Sequence, residues 1–127
     1  MLTCKPRIEL TFVPPVGSTV FLEGRALHVN IESYGVAIYI YANGWWTKPF
    51  RSEPITELGC DGSFVCNIVT GGSDETAKKI AAFLVPLDYG PPLMRGGHTL
   101  PKEIFDNAAA SVIVKRKPAA PLKPMDN

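Results

Sequence analysis

Tyr39, Tyr41, Trp45, Trp46 and Phe50 crowd into one short stretch of the chain. Rings at this density suit stacking on the apolar C–H face of a ring-shaped ligand such as a sugar, with phenol hydroxyls and nearby polar groups meeting its hydroxyls. Asn43 and Asp61 are the polar residues that would join them. Strand alternation puts Tyr39 and Tyr41 on one face of the segment and Val36, Ile38 and Ile40 on the other. An extended Trp45-Trp46 pair sends its two indoles to opposite sides. One indole then belongs in a core, and the other joins the tyrosines and Phe50 on an exposed platform. The competing reading packs the tyrosine face against the Asp88-Tyr89 loop or a partner subunit.

Other chemistry finds less support. Glu53, Glu57 and Asp61 are the nearest group of carboxylates, but they fall in a bend and a turn, where solvated carboxylates are the rule. No G-x-S-x-G is present, and neither His28 nor His98 has a local orienting partner, so no catalytic residue is assigned and the chain is read as a non-enzyme. Gly71-Gly72-Ser73 resembles an anion-holding turn but lacks the Lys-Ser/Thr of a phosphate loop, so it reads as a plain turn. Cys4, Cys60 and Cys66 form no CxxC and no cluster with histidine. They are expected as free thiols, with no metal site and no cofactor.

The elements that position these residues read as strands. A chain of 127 residues is expected to be one domain, and thirteen basic against twelve acidic residues give a net charge of +1. That balance argues against nucleic acid or a membrane surface as partner. No apolar run is long enough to cross a bilayer. The start, MLTCKPRIEL, lacks the apolar region of a signal peptide. The compartment stays open: the protein is cytoplasmic, or a leader or neighbouring domains lie outside this sequence.

Arg7 to Val13 is a first strand stopped by Pro14-Pro15. Thr19 to Leu22, a turn at Glu23-Gly24 and Arg25 to Ile31 follow, with Leu27, Val29 and Ile31 on the core side and His28 outside. After the aromatic strand, Asn43-Gly44 turns the chain into Trp45-Trp46. Ile55 to Leu58 and Ser63 to Val69 read as a hairpin about Gly59-Cys60-Asp61-Gly62. Asp74 to Pro86 is ambiguous: its apolar residues fit a helix capped by Ser73, yet Ile80 to Val85 also fits a strand. The strands around it favour a strand preceded by a short helical turn. Leu87 to His98 is a loop, Leu100 to Asn107 a short helix, and Ala110 to Val114 a last strand. The domain is placed at 1–114, and 115–127, rich in lysine and proline, is read as a tail or linker. Its Lys115-Arg116-Lys117 cluster is read as a solvated domain end.

The segments PPVGS, VAIYIYANGWWTKPF, DGSF, TGGSDETAKKIAAFLVP and LPKEIFDNAAASVIV carry a likeness that covers about four fifths of the chain. Together they resemble a family of bacterial β-sandwich domains with immunoglobulin-like folds. Phe64 stands where a tryptophan is commoner in that family. The resemblance implies an accessory or adhesion module of exported proteins, in some cases beside carbohydrate-active enzymes, and it carries no catalytic residue.

The expected fold is therefore an all-β, immunoglobulin-like sandwich of about seven strands with one or two short helical segments. The leading function is a non-catalytic binding module with carbohydrate as ligand. The alternative is a structural or protein-interaction domain that docks a neighbouring domain or self-associates. A third, less favoured reading is an enzyme or small-molecule domain with a pocket near Leu87 to His98.

Overall fold

The computed structural model describes residues 4–118. Among them the chain forms β1 (Arg7–Phe12), β2 (Leu22–Leu27), β3 (Tyr34–Tyr41), β4 (Trp45–Lys48), β5 (Thr56–Glu57) and β6 (Ser63–Cys66). A 3-10 turn (Asp74–Thr76) precedes β7 (Lys79–Pro86), β8 (Arg95–Gly97), helix α1 (Lys102–Asn107) and β9 (Ala110–Lys115). All pairings are antiparallel. The small sheet runs β1-β2-β6, and the large one runs β8-β4-β3-β7-β9. β5 pairs with Gly35 and Val36, beyond the part of β3 that β4 occupies. The protein is thus mostly β, with two sheets and very little helix.

Two cores flank the large sheet. Val36, Ile38 and Ile40 of β3, with Ile80, Ala82 and Leu84 of β7, pack with Ile8, Leu22, Ala26, Phe64 and Cys66 of the small sheet. On the opposite face Ala37, Tyr39, Ala81, Phe83 and Val85 are covered by Met94 and by Ile104 of α1. β3 and β7 are therefore buried on both faces. This resolves the ambiguity at Asp74 to Pro86: a strand covered on both sides is apolar at every position, so it satisfies a helical period by accident.

Two expectations about the chain path are corrected. β2 passes straight through Glu23-Gly24, because the Phe64 ring lies where a side chain at Gly24 would sit. The alternation then places Ala26 in the core, and His28, with φ 62°, ends the strand, so the predicted core face at Leu27, Val29 and Ile31 is only half-buried. The second correction concerns the predicted hairpin. β5 joins the large sheet and β6 the small one, so this segment is where the chain changes layers. Gly62 anchors that corner, accepting the Ala26 N–H at 2.8 Å with φ 83°, and a Cβ there would strike the Ala26 carbonyl.

The ordered chain also runs past Val114. β9 continues to Lys115, and Arg116 is buried rather than solvated. Residues 119–127 of the expected tail lie outside the described residues. Arg116 uses all five guanidinium N–H groups on backbone carbonyls. Nε donates to Pro14, Nη1 to Glu75 and Ala77, and Nη2 to Pro15 and Ser18, at 2.6 to 3.2 Å. Two of those carbonyls belong to the consecutive prolines, which have no N–H to build a ladder with. The planar fork thus fastens the 14–18 segment and the 3-10 turn to the end of β9. Arg116→Lys, with three donors on one nitrogen, leaves at least two of these carbonyls without their partner. It should cost about 2–4 kcal/mol, read as a shift in the urea midpoint at unchanged slope.

Candidate functional site

The β3–β4 hairpin sorts the aromatic residues by strand alternation. Asn43 (φ 55°) and Gly44 (φ 131°) make the turn, and the Ala42 N–H donates to the Gly44 carbonyl at 2.9 Å. Trp45 and Thr47 are register partners of Tyr41 and Tyr39, so they share the α1 side of the large sheet. Trp46 and Lys48 pair with Ile40 and Ile38, so they share the sandwich side.

On the α1 side the predicted platform is covered. Tyr39 is 1% exposed and its hydroxyl donates to the Pro92 carbonyl at 2.8 Å. Burial, with smaller contributions from Tyr89 and Glu103, holds that phenol far above its ordinary range. Trp45 is 7% exposed and meets Tyr41 edge-on at 5.2 Å between centroids. Thr47 fixes the covering loop by accepting the Met94 N–H on Oγ1 at 2.7 Å. Tyr41 stays half-buried at the margin, with Lys79 Nζ 5.4 Å from its ring centre. The loop from Leu87 to Leu100 and α1 thus do what the competing reading of the tyrosine face required.

On the sandwich side Trp46 packs against the first core but is only partly buried. Its indole N–H donates to the Ala42 carbonyl at 2.9 Å, which fixes the ring against its own turn. The ring borders two adjoining depressions. One, of about 330 Å³, lies between Asn43, Trp46 and the Thr70–Asp74 loop. The other, of about 360 Å³, continues toward Phe50, Arg51 and Ser52. Phe50, 50% exposed, stands at the far end. A third depression of about 170 Å³ extends from Asn43 to Tyr41, Thr76 and Lys78.

The base of this groove is an ion pair that sequence reasoning missed. Lys48 and Asp74 are buried, with side chains 8% and 9% exposed, and Lys48 Nζ is bonded to Asp74 Oδ2. Thr70 completes the set: its Oγ1 accepts from Lys48 at 2.8 Å, and its N–H donates to Asp74 Oδ2 at 3.0 Å. Alternation puts Lys48 on the same face as Trp46, but only the fold shows that this face turns inward at Lys48, where a buried ammonium requires an acid partner. Asp61, by contrast, sits in the corner before β6 and does not line the groove. It accepts the Ser63 hydroxyl at 2.6 Å and the Ser63 N–H at 3.0 Å, which hold its carboxyl below the ordinary range.

Of the seven predicted residues, Trp46, Asn43 and Phe50 border one groove, with Tyr41 at its margin. Tyr39 and Trp45 lie in the second core, and Asp61 belongs to the layer-changing corner. Comparison with protein-family models, curated proteins and solved structures returns no match. The functional reading therefore rests on this geometry. The groove presents an indole, hydroxyls of Thr70 and Ser73, the Asn43 amide and a glycine-rich wall, with its one acid already ion-paired.

Two outcomes test this description. Asp74→Asn leaves the Lys48 ammonium buried without its counter-ion and should cost about 3–5 kcal/mol in chemical denaturation, whereas Lys48→Met with Asp74→Leu should recover most of it. Burial pushes the Cys66 thiol up to about 11, while Cys4 and Cys60 are exposed. A chromogenic disulfide reagent at mildly alkaline pH should therefore titrate Cys4 and Cys60 at once and Cys66 only after denaturation.

Proposed function

We propose that this chain is a non-catalytic binding module whose ligand is a carbohydrate, held in the groove at Trp46. The observation that carries the reading is Trp46 itself: a half-exposed indole, fixed by its own N–H bond, between two open depressions rimmed by hydroxyl and amide groups. A sugar ring stacks on such a face while its hydroxyls replace water on Asn43, Thr70 and Ser73. The immobilised ring and the Lys48–Asp74–Thr70 base limit the ordering cost of binding.

The fold assignment in this proposal is an immunoglobulin-like sandwich. Its support is the strand order, β1-β2-β6 in one sheet and β4-β3-β7-β9 in the other, which follows the A-B-E and C′-C-F-G order of such sandwiches. The resemblance to bacterial accessory domains points the same way. A second reading, a protein-interaction domain, draws on the outer face of the small sheet. There Phe12 and Val65 flank Glu23 in one register row, both exposed.

Intrinsic fluorescence titrated with soluble oligosaccharides tests the module. Trp46→Ala should abolish a saturable change, and Asn43→Gly, which keeps the left-handed turn, should weaken binding at unchanged stability. Trp45→Ala should instead cost about 3–5 kcal/mol of stability. A wild-type protein silent to every glycan, dimeric, and made monomeric by Val65→Lys would favour the interaction domain.

A further inference from the structure

We propose that the free edge of β6 at Val65 takes an extended, basic segment of another protein as an added strand. This goes beyond the carbohydrate reading and does not involve the Trp46 groove. The site arises where the chain changes layers. Gly59 and Ser63 still pair as the arms of a hairpin would, the Gly59 N–H donating to the Ser63 carbonyl at 2.7 Å. Beyond them the arms separate: β5 goes to β3 in the large sheet and β6 to β2 in the small one, where β6 is the last strand. Alternation in an antiparallel ladder fixes which way each residue of β6 turns its backbone groups. The Ala26 N–H donates to the Gly62 carbonyl at 2.8 Å in the β2–β6 register, so Gly62, Phe64 and Cys66 face β2 while Ser63 and Val65 face away. Ser63 has both groups satisfied, its N–H by Asp61 Oδ1 at 3.0 Å and its carbonyl by Gly59. Among the described residues, the outward N–H and carbonyl of Val65 have no backbone partner. An unpaired edge of this kind is a template for another strand.

The edge borders a single depression of about 760 Å³, bounded by β5, Val65 and the loop that follows β7. Ile55, Val65 and Leu87 give it apolar wall, and Val65 and Leu87 are exposed. Charge then selects the occupant. Glu53 and Glu57 line the depression, and among the described residues no lysine, arginine or histidine does. Glu23, the register partner of Val65 on β2, adds a third exposed carboxylate. None of the three takes part in an ion pair among the described residues. Arg25, opposite Ser63, is already paired with Asp61 at 3.5 Å, and Arg51 lines the depression on the Trp46 side. A strand laid along β6 exchanges backbone bonds with Val65 and sends alternate side chains to opposite faces. Its aliphatic side chains meet Ile55 and Leu87, and its lysines or arginines meet the glutamates. A second copy of this chain, paired through its own β6, would instead bring the same carboxylates together, so charge favours a basic partner over self-association.

The test titrates short peptides onto the full chain by calorimetry, with valine alternating with lysine, with glutamine or with glutamate. The lysine peptide should bind about tenfold tighter than the glutamine peptide at low salt, the margin shrinking as salt rises, and the glutamate peptide should not bind. Glu53→Gln with Glu57→Gln should bring the lysine peptide down to the level of the glutamine peptide. Val65→Pro removes an N–H that β2 does not use, so it should keep the circular dichroism of the fold and lose the peptide. A change on the ligand side reads the same bonds in the unaltered protein. Methylating the backbone nitrogens of all valines, or of all lysines, blocks one edge of the peptide, and one of the two forms should lose binding. A lysine peptide that binds in both methylated forms is held by charge without a strand, which overturns the proposal. No binding of the lysine peptide, or equal binding of the lysine and glutamine peptides, overturns it as well. A chain already dimeric, and made monomeric by Val65→Pro, places a second copy on the edge and overturns the basic partner.

Discussion

Burial of β3 and β7 on both faces is the constraint from which the rest of the molecule follows. Once the large sheet has the small sheet on one side and α1 with its loop on the other, no side chain near the middle of either strand reaches solvent. Tyr39 shows the consequence. Its ring contributes the apolar area of a core residue, but its hydroxyl must find a partner, and the Pro92 carbonyl supplies one. The same bond, with Thr47 on Met94, tacks an otherwise irregular loop onto the sheet. What would have been a binding surface becomes the means of holding the cover down. Trp46, near the margin of the large sheet, stands only partly buried.

The two buried cations extend this logic to the ends of the sandwich, where ladders stop. The 70–74 loop and the 14–18 segment have backbone groups that no strand pairs. Lys48 serves the first with a point charge matched by Asp74 and Thr70. Arg116 serves the second with a planar fork matched only by carbonyl dipoles, an arrangement a lysine lacks the donors to reproduce. Neither group is replaceable by charge alone, since removing the partner of a buried charge costs about 3–5 kcal/mol. Lys48 thus fixes the base of the Trp46 groove, and Arg116 ties the 14–18 segment to the end of β9.

The alternation of VAIYIYANGWWTKP was legible from the sequence, as were the strand at Ile80 to Val85, the short helix and the last strand. These depend on local periodicity and turn chemistry. The misread parts depend on partners distant in the chain. Gly24 reads as a turn residue until Phe64, forty positions later, is known to lie over it. Ile55 to Leu58 and Ser63 to Val69 have the spacing of a hairpin, and nothing local shows that the two arms join different sheets. Arg116 sits in a run that composition marks as solvated, because its five acceptors come from segments about forty to a hundred residues away. Among the residues that line the groove, Trp46, Asn43 and Phe50 could be named from residue type. Which indole faced outward could not, since alternation fixes that they oppose each other but not which face the chain later covers.

Net charge conceals where the charges stand. An overall balance of +1 averages Lys78, Lys79, Lys115 and Arg116, which line one depression, against carboxylates of which most stand elsewhere, with Glu75 of the 3-10 turn nearby. Glu53 and Glu57 face a separate depression of about 760 Å³ beside β5, and Glu103 and Asp106 lie on α1. Segregation of this kind follows from where a sandwich can place charge. The inner positions of its strands reject it, and strand ends and the turns beyond them accept it. Lys79 and Lys115 stand at paired strand ends, where β7 begins and β9 finishes, so the pairing that aligns the sheet also aligns the two ammonium groups. The sheet register thus sets their spacing and places them in one row with Tyr41 and Trp45, on the side of the large sheet opposite Trp46.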